Sequence, residues 1–160
     1  MKEQKTNAMR ILEQKKIKYI PHEYPHGDDP VDGVTVAKLT GRDPACVFKT
    51  LVTVGASRTN YVFVIPVAKE LDLKKAARSV GEKSIAMIHV SEITPLTGYV
   101  RGGCSPVGMK KQFKTVFDAS ANDIDTILVS GGKIGTQIET APYDLIELVR
   151  GVTADVTVEE

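Results

Sequence analysis

The chain has 160 residues, 42% apolar and 26% charged, an ordinary globular composition with enough length to bury a core in a single domain over 1–160. Its 21 Lys and Arg against 20 Asp and Glu leave a formal charge of +1, which excludes a nucleic-acid binder that works by charge alone. Two cysteines, Cys46 and Cys104, are too few for a disulfide scaffold, and the longest apolar run, 61–68, is too short to cross a bilayer.

The opening MKEQKTNAMRILEQKK is charged and has no apolar centre, so no secretory leader is expected and a cytoplasmic, thiol-reducing setting is. The spacing predicts an amphipathic helix over 6–16, capped by Thr6 or Asn7, with Met9, Leu12 and Lys16 on one stripe. Residues 17–24, IKYIPHEY, alternate as a strand, and Pro21 assigns it to an edge or a bulge. PHGDDPVDG, 25–33, is dense in breakers and reads as a loop. A short helix over 34–39 follows, ended by Gly41 in a left-handed cap. Asp43-Pro44 then turns the chain into a strand, VFKTLVTV, that runs to Val54.

Residues 61–67, YVFVIPV, are continuously apolar and predict a central strand that ends at Pro66. Asp72 caps a helix to Val80, stopped by Gly81, with Leu73, Ala76, Ala77 and Val80 facing inward. Residues 84–90 read as a strand, and Ser91 opens a single helical turn containing Pro95. The loop GYVRGGCSPVG, 98–108, comes next. Strands are predicted over 115–118 and 126–130, with Gly131-Gly132-Lys133 as a hairpin turn into 134–139. Thr140 caps a last helix with Pro142 in its first turn, and 152–158 forms a final strand. This pattern of about seven strands without regular strand–helix alternation predicts an α+β fold. A mixed, curled, barrel-like sheet with helices outside it is expected. No repeat, linker or low-complexity stretch interrupts it.

Two stretches carry the chemistry. In VFKTL a lysine interrupts an apolar strand, and a buried ammonium needs a partner or a purpose. In the 98–108 loop, Gly102 and Gly103 have no side chains to shield their N–H groups, so the loop could offer several donors to one oxygen. Other candidates fall away. Gly103-Cys104-Ser105 starts like a nucleophile elbow, but Val107 stands where its last glycine belongs. A lone buried cysteine is usually an apolar filler. His22 and His26 have metal spacing for a helix that Pro21 and Pro25 forbid, so no metal is assigned, nor any cofactor. His89 reads as a packed or capping residue. Gly131-Gly132-Lys133 resembles a phosphate loop, but Ile134 stands where a magnesium-binding hydroxyl is needed.

What remains is Lys49 opposite a donor-rich loop, with Thr50, Ser130 and Tyr24 as further polar groups. That kit can orient an ester and stabilise an oxyanion when the substrate brings its own nucleophile. Pattern alone also allows a strand-edge lysine that reaches back to water.

VFKTL, VAKELDLKKAARSVG, GYVRGGCSPVGMKK and VSGGKIG occur in this order and at this spacing in the YbaK/EbsC family, which the chain resembles from about Thr6 to Ala154. Each motif is weak alone; the ordered set is specific. The family is related to the editing domain of bacterial prolyl-tRNA synthetases. Its members are free-standing aminoacyl-tRNA deacylases, the best known of which clear cysteine from proline tRNA. The resemblance implies a barrel-like mixed sheet and a trans-editing hydrolase. It places the essential lysine at Lys49 with Thr50 after it, the first loop glycine at Gly102, the hairpin serine at Ser130 and the early tyrosine at Tyr24. Gln137 stands where aspartate is common, and Val31 where phenylalanine is; both are expected to line the substrate pocket, with Gly103 beside them.

The implied reaction is attack of a cysteinyl thiol on its own ester, positioned by Lys49 and the Gly102 N–H. The implied partners are the acceptor end of an aminoacyl-tRNA and, given the weak net charge, prolyl-tRNA synthetase as the source of tRNA selectivity. Two alternatives stay open at this stage. One is removal of alanine or another small residue by a bound water; the other is a non-catalytic module that binds aminoacyl-tRNA ends or a synthetase.

Overall fold

The computed structural model describes residues 5–159, so any reading of residues 1–4 lies outside it. The order is α1 (Asn7–Gln14), β1 (Ile20–Glu23), α2 (Gly33–Thr40), β2 (Phe48–Gly55), β3 (Asn60–Pro66), α3 (Leu73–Val80), β4 (Ile85–Met87) and α4 (Val90–Thr97). Then come β5 (Lys114–Asp118), β6 (Ile127–Lys133), β7 (Thr136–Thr140), α5 (Pro142–Leu148) and β8 (Val152–Ala154). The strands form two sheets: three strands in the order β1-β7-β6, and five in the order β4-β2-β3-β5-β8. The larger one is mixed, with β3–β5 and β5–β8 parallel and the other pairs antiparallel. An isolated parallel bridge between Val47 and Leu128 links the two sheets. The α+β reading holds, with the curled sheet resolved as two.

Hydrophobic patterning explains the layers. Phe48, Val52, Val62 and Val64 from the larger sheet share one buried cluster with Ile127, Val129 and Ile138 from the smaller, closed by Ala8, Met9 and Leu12 of α1. On the other face of the larger sheet, Ala76 and Ala77 of α3 pack against Phe63, Ile65 and Val116. Every residue of β3 from Tyr61 to Pro66 is buried, as a central strand requires. β1 is an edge strand, which tolerates Pro21. The caps at Thr6, Asp32 and Asp72 and the left-handed stops at Gly41 and Gly81 are those of a chain that writes its helix ends locally.

Several boundaries differ from the sequence reading. Gly131 and Gly132 lie inside β6 at a register shift between Ser130 and Lys133, and the hairpin turns at Ile134-Gly135. The paired glycines absorb a bulge rather than a turn. α4 is a full two-turn helix: His89 is its N-cap, and the Glu92 carboxylate accepts from the His89 N–H at 3.0 Å. β4 is correspondingly short. Ala141, not Thr140, is the N-cap of α5; the Thr140 hydroxyl donates to the Lys18 carbonyl instead. Leu73 is 44% exposed because it sits in the first turn of α3, before the inward face begins. Lys16 lies beyond α1 at φ 59°.

Candidate active site

A cavity of about 400 Å³ opens where the two sheets diverge beyond the Val47–Leu128 bridge. β2 forms one wall. It pairs with β4 only over Thr53–Gly55, so its stretch from Phe48 to Leu51 has no partner strand on that side. Lys49 and Thr50 face the cavity from this open edge. β7 and β6 supply Gln137 and Ser130, which stand directly opposite one another, and Tyr24 follows β1. Val31, Gly33 and Val36 come from α2 and its lead-in, where the Asp32 carboxylate caps the helix. Gly33 has no side chain because a Cβ there would collide with Val67. The mouth is formed by Gly102 and Arg101, both exposed, and the apolar side by Met87, Val90 and Ile93.

Lys49 is half-buried, and its ammonium donates to the Val67 carbonyl at 3.4 Å. Burial pulls its pKa below the ordinary lysine value, partly offset by the charge of Glu70. The glycine loop is set by close contacts. Gly102 has φ 84°, and a Cβ on it would come within 2.8 Å of the Pro30 side chain. Its N–H makes no hydrogen bond within the described chain. Gly103 differs from expectation. It lies behind the cavity wall, its N–H donates to the Val100 carbonyl at 3.0 Å, and a Cβ would meet the backbone of Lys133 at 2.8 Å. It holds the loop onto the hairpin, which leaves Gly102 as the open donor rather than a pair.

Ser130 Oγ accepts from the Gly132 N–H at 3.2 Å, so its own proton is free to donate. Thr50 Oγ1 and Gln137 Oε1 are buried and have no hydrogen-bond partner among the described residues. Cys104 borders the cavity, but burial pushes its thiol up to about 11, so it is neutral at physiological pH and no nucleophile. His22 and His26 part company. His22 pairs with Glu139 at 2.7 Å, while the His26 ring sits edge-on to Tyr24. Glu139 also accepts from Thr126 at 2.7 Å and pairs with Arg42 at 3.0 Å, tying the end of α2 to β7.

Sequence reasoning missed the apolar wall of Met87, Val90 and Ile93, because the strand-to-helix boundary was placed too late. It also passed over Arg101, which carries no local signal beyond its position before Gly102.

The family model for the aminoacyl-tRNA editing domain matches residues 31–148, which span both walls of this cavity. This chain belongs to the aminoacyl-tRNA editing domain family. Editing is cleavage of the ester that joins a wrongly attached amino acid to tRNA, so the chain is an aminoacyl-tRNA deacylase. A relative from Enterococcus faecalis, named "Putative Cys-tRNA(Pro)/Cys-tRNA(Cys) deacylase EbsC", is 46% identical over 158 residues, covering 99% of this chain and 96% of its own length. The YbaK/EbsC resemblance is thereby borne out. A crystal structure described as "a putative trans-editing enzyme for prolyl tRNA synthetase" superposes with a TM-score of 0.81 at 24% identity, covering 98% of this chain and 100% of the other. A second, of a hypothetical protein, gives 0.83 at 24%, covering 93% and 97%. Both show that the same fold extends over nearly the whole chain.

Proposed function

We propose that this editing domain removes cysteine from mischarged proline tRNA, with the substrate's own thiol as the nucleophile. The observation that carries the reading is a shortage. Among the described residues lining the cavity there is no Asp, Glu or His, and the one thiol there is held protonated. The site therefore lacks the carboxylate, imidazole or ionised thiol that most often attacks an ester or activates water as a general base. A cysteinyl ester supplies what is missing. The name of the Enterococcus relative points to the same substrate.

In this scheme the thiolate sulfur attacks its own carbonyl carbon, the carbon–oxygen bond to the terminal ribose breaks, and the ribose oxygen takes up a proton. The products are free tRNA and a four-membered cyclic thioester, which water opens. The Gly102 N–H and the Lys49 ammonium flank the ester and steady the negative charge that develops on oxygen. The apolar wall keeps competing water away, while Ser130 and Tyr24 hold the chain bent for ring closure. Prolyl-tRNA synthetase would present the tRNA, since a net charge of +1 gives little grip on phosphates.

The test is a deacylation panel of Cys-, Ala-, Ser- and Pro-charged proline tRNA. Cysteine should be released fastest, and an added amine should capture the cyclic thioester. Equal rates for Cys and Ala would overturn the thiol mechanism in favour of a bound water.

A further inference from the structure

The turn at the cavity mouth carries a charge that nothing else in the described chain uses. The Gly103 N–H donates to the Val100 carbonyl at 3.0 Å and Gly102 has φ 84°, so Arg101 and Gly102 are the two corners of a tight turn. Pro30 packs against Gly102 from outside the turn. Arg101 is exposed, lines the cavity, and makes no side-chain hydrogen bond or ion pair among the described residues. Arg42 and Lys75, by contrast, are taken up by Glu139 and Asp155. Asp28 and Asp29 precede Pro30, and neither pairs with Arg101. We infer that the Arg101 guanidinium binds the phosphate that joins the terminal adenosine to the rest of the tRNA. The inference rests on ester cleavage beside Gly102, as proposed above, and not on which amino acid is removed.

The chemistry of the substrate selects this ligand. Its ester sits on the terminal ribose, and the same ribose carries a phosphate on its 5′ oxygen. An anion therefore accompanies every ester that enters. With the Gly102 N–H beside the ester, the neighbouring corner of the turn stands where the nucleotide leaves the cavity. No carboxylate competes for the guanidinium among the described lining residues. The planar fork of an arginine matches two phosphate oxygens at once. The surrounding chain has one sign of charge: from Ile93 to Phe117 it holds Arg101, Lys110, Lys111 and Lys114, and no Asp or Glu. All four are exposed, and exposed Lys133 backs the same loop at Gly103. A net charge near zero thus conceals a local positive rim. A phosphate held there positions the ribose without reading sequence, which suits an end common to all tRNAs.

The experiment compares the cysteinyl ester of adenosine with the cysteinyl ester of adenosine 5′-monophosphate. Rates are divided by the uncatalysed hydrolysis of each ester. An alanyl pair runs alongside, so failure of the thiol mechanism leaves the comparison readable. The wild type should prefer the phosphorylated ester by on the order of 10-fold in kcat/KM, carried by KM. Arg101→Gln should bring the preference close to one, and Arg101→Lys should keep part of it. Lys111→Gln, which removes a cation of the same stretch that does not line the cavity, should leave it intact. With charged tRNA, Arg101→Gln should flatten the fall of log kcat/KM against log salt by about 0.7. A wild type indifferent to the phosphate, an Arg101→Gln protein that keeps the preference, or an equal loss in Lys111→Gln overturns the inference. Should the nucleoside esters prove too small to be cleaved, an unchanged salt slope on tRNA overturns it. A defect seen only when prolyl-tRNA synthetase is present assigns Arg101 to protein docking and overturns it too. Cleavage of no ester, free or on tRNA, would sink the site and this inference together.

Discussion

An ammonium half removed from water, facing one carbonyl and no carboxylate within bonding distance, is a strange tenant for a strand. Its depressed pKa has a definite sign for stability. The unfolded chain holds the Lys49 proton more tightly than the folded one, so the charged side chain works against folding at neutral pH. That handicap fades as pH rises through the lowered pKa towards 10.5. Lys49→Met should therefore melt at or above the wild-type temperature at pH 7 and lose deacylation by on the order of 10²-fold or more. Circular dichroism and single-turnover kinetics separate the two effects; a folded, fully active variant would remove Lys49 from the mechanism. Cys104 gives the opposite prediction. With its thiol held near 11, it should resist alkylation in the native protein, and Cys104→Ala should retain activity at a cost of about 1 kcal/mol in stability. The lysine was legible because it breaks an apolar run. The orphaned oxygens of Thr50 and Gln137 were not, since only three-dimensional packing shows that nothing reaches them.

Among the elements, the glycine loop and the β6–β7 hairpin act as one piece. Gly102 needs its positive φ and its lack of a side chain beside Pro30, so Gly102→Ala should impair deacylation far more than stability. Gly103→Ala pushes instead against the backbone of Lys133 and Ile134, and should lower stability by ~1–3 kcal/mol, visible in urea titration. The sequence made the loop conspicuous but presented its two glycines as equals. Their different duties depend on which strand lies behind the second one. The hairpin was misread for a related reason: a Gly-Gly-Lys run suits a turn, and nothing local reveals a bulge. The clasp at Glu139 is also an element-level feature. Burial raises its pKa, but hydrogen bonds from Thr126 and His22 and the Arg42 charge outweigh this and leave it lowered. Its contribution to stability is thus present above the ordinary glutamate value and lost as pH falls through the lowered one. Glu139→Gln should flatten the acid limb of a stability–pH curve; an unchanged limb would show that the clasp contributes nothing.

For the whole molecule, the near balance of charge sets how it meets tRNA. Exposed Arg101 at the cavity mouth gives a foothold, and Lys49 is the other cation among the described lining residues. Binding of uncharged tRNA should be weak and should fall further with salt, and added prolyl-tRNA synthetase should sharpen selectivity for proline tRNA. Tight, salt-resistant binding by the protein alone would contradict this. The general architecture was readable because strands, caps and helix stops are encoded locally. The division into two sheets was not, because it depends on how far the chain entering β2 pairs with β6, and that long-range pairing shrinks to one bridge at Val47 and Leu128 among the described residues.

That link at Val47 and Leu128 makes the candidate hollow a seam rather than a pit. Each sheet is stapled internally by several ladders, yet among the described residues one rung ties the two margins together beside the lysine. Breathing of the molecule should therefore concentrate there, so deuterium should enter the amide of Leu128 sooner than those at the centre of β3, and an occupied hollow should slow that entry.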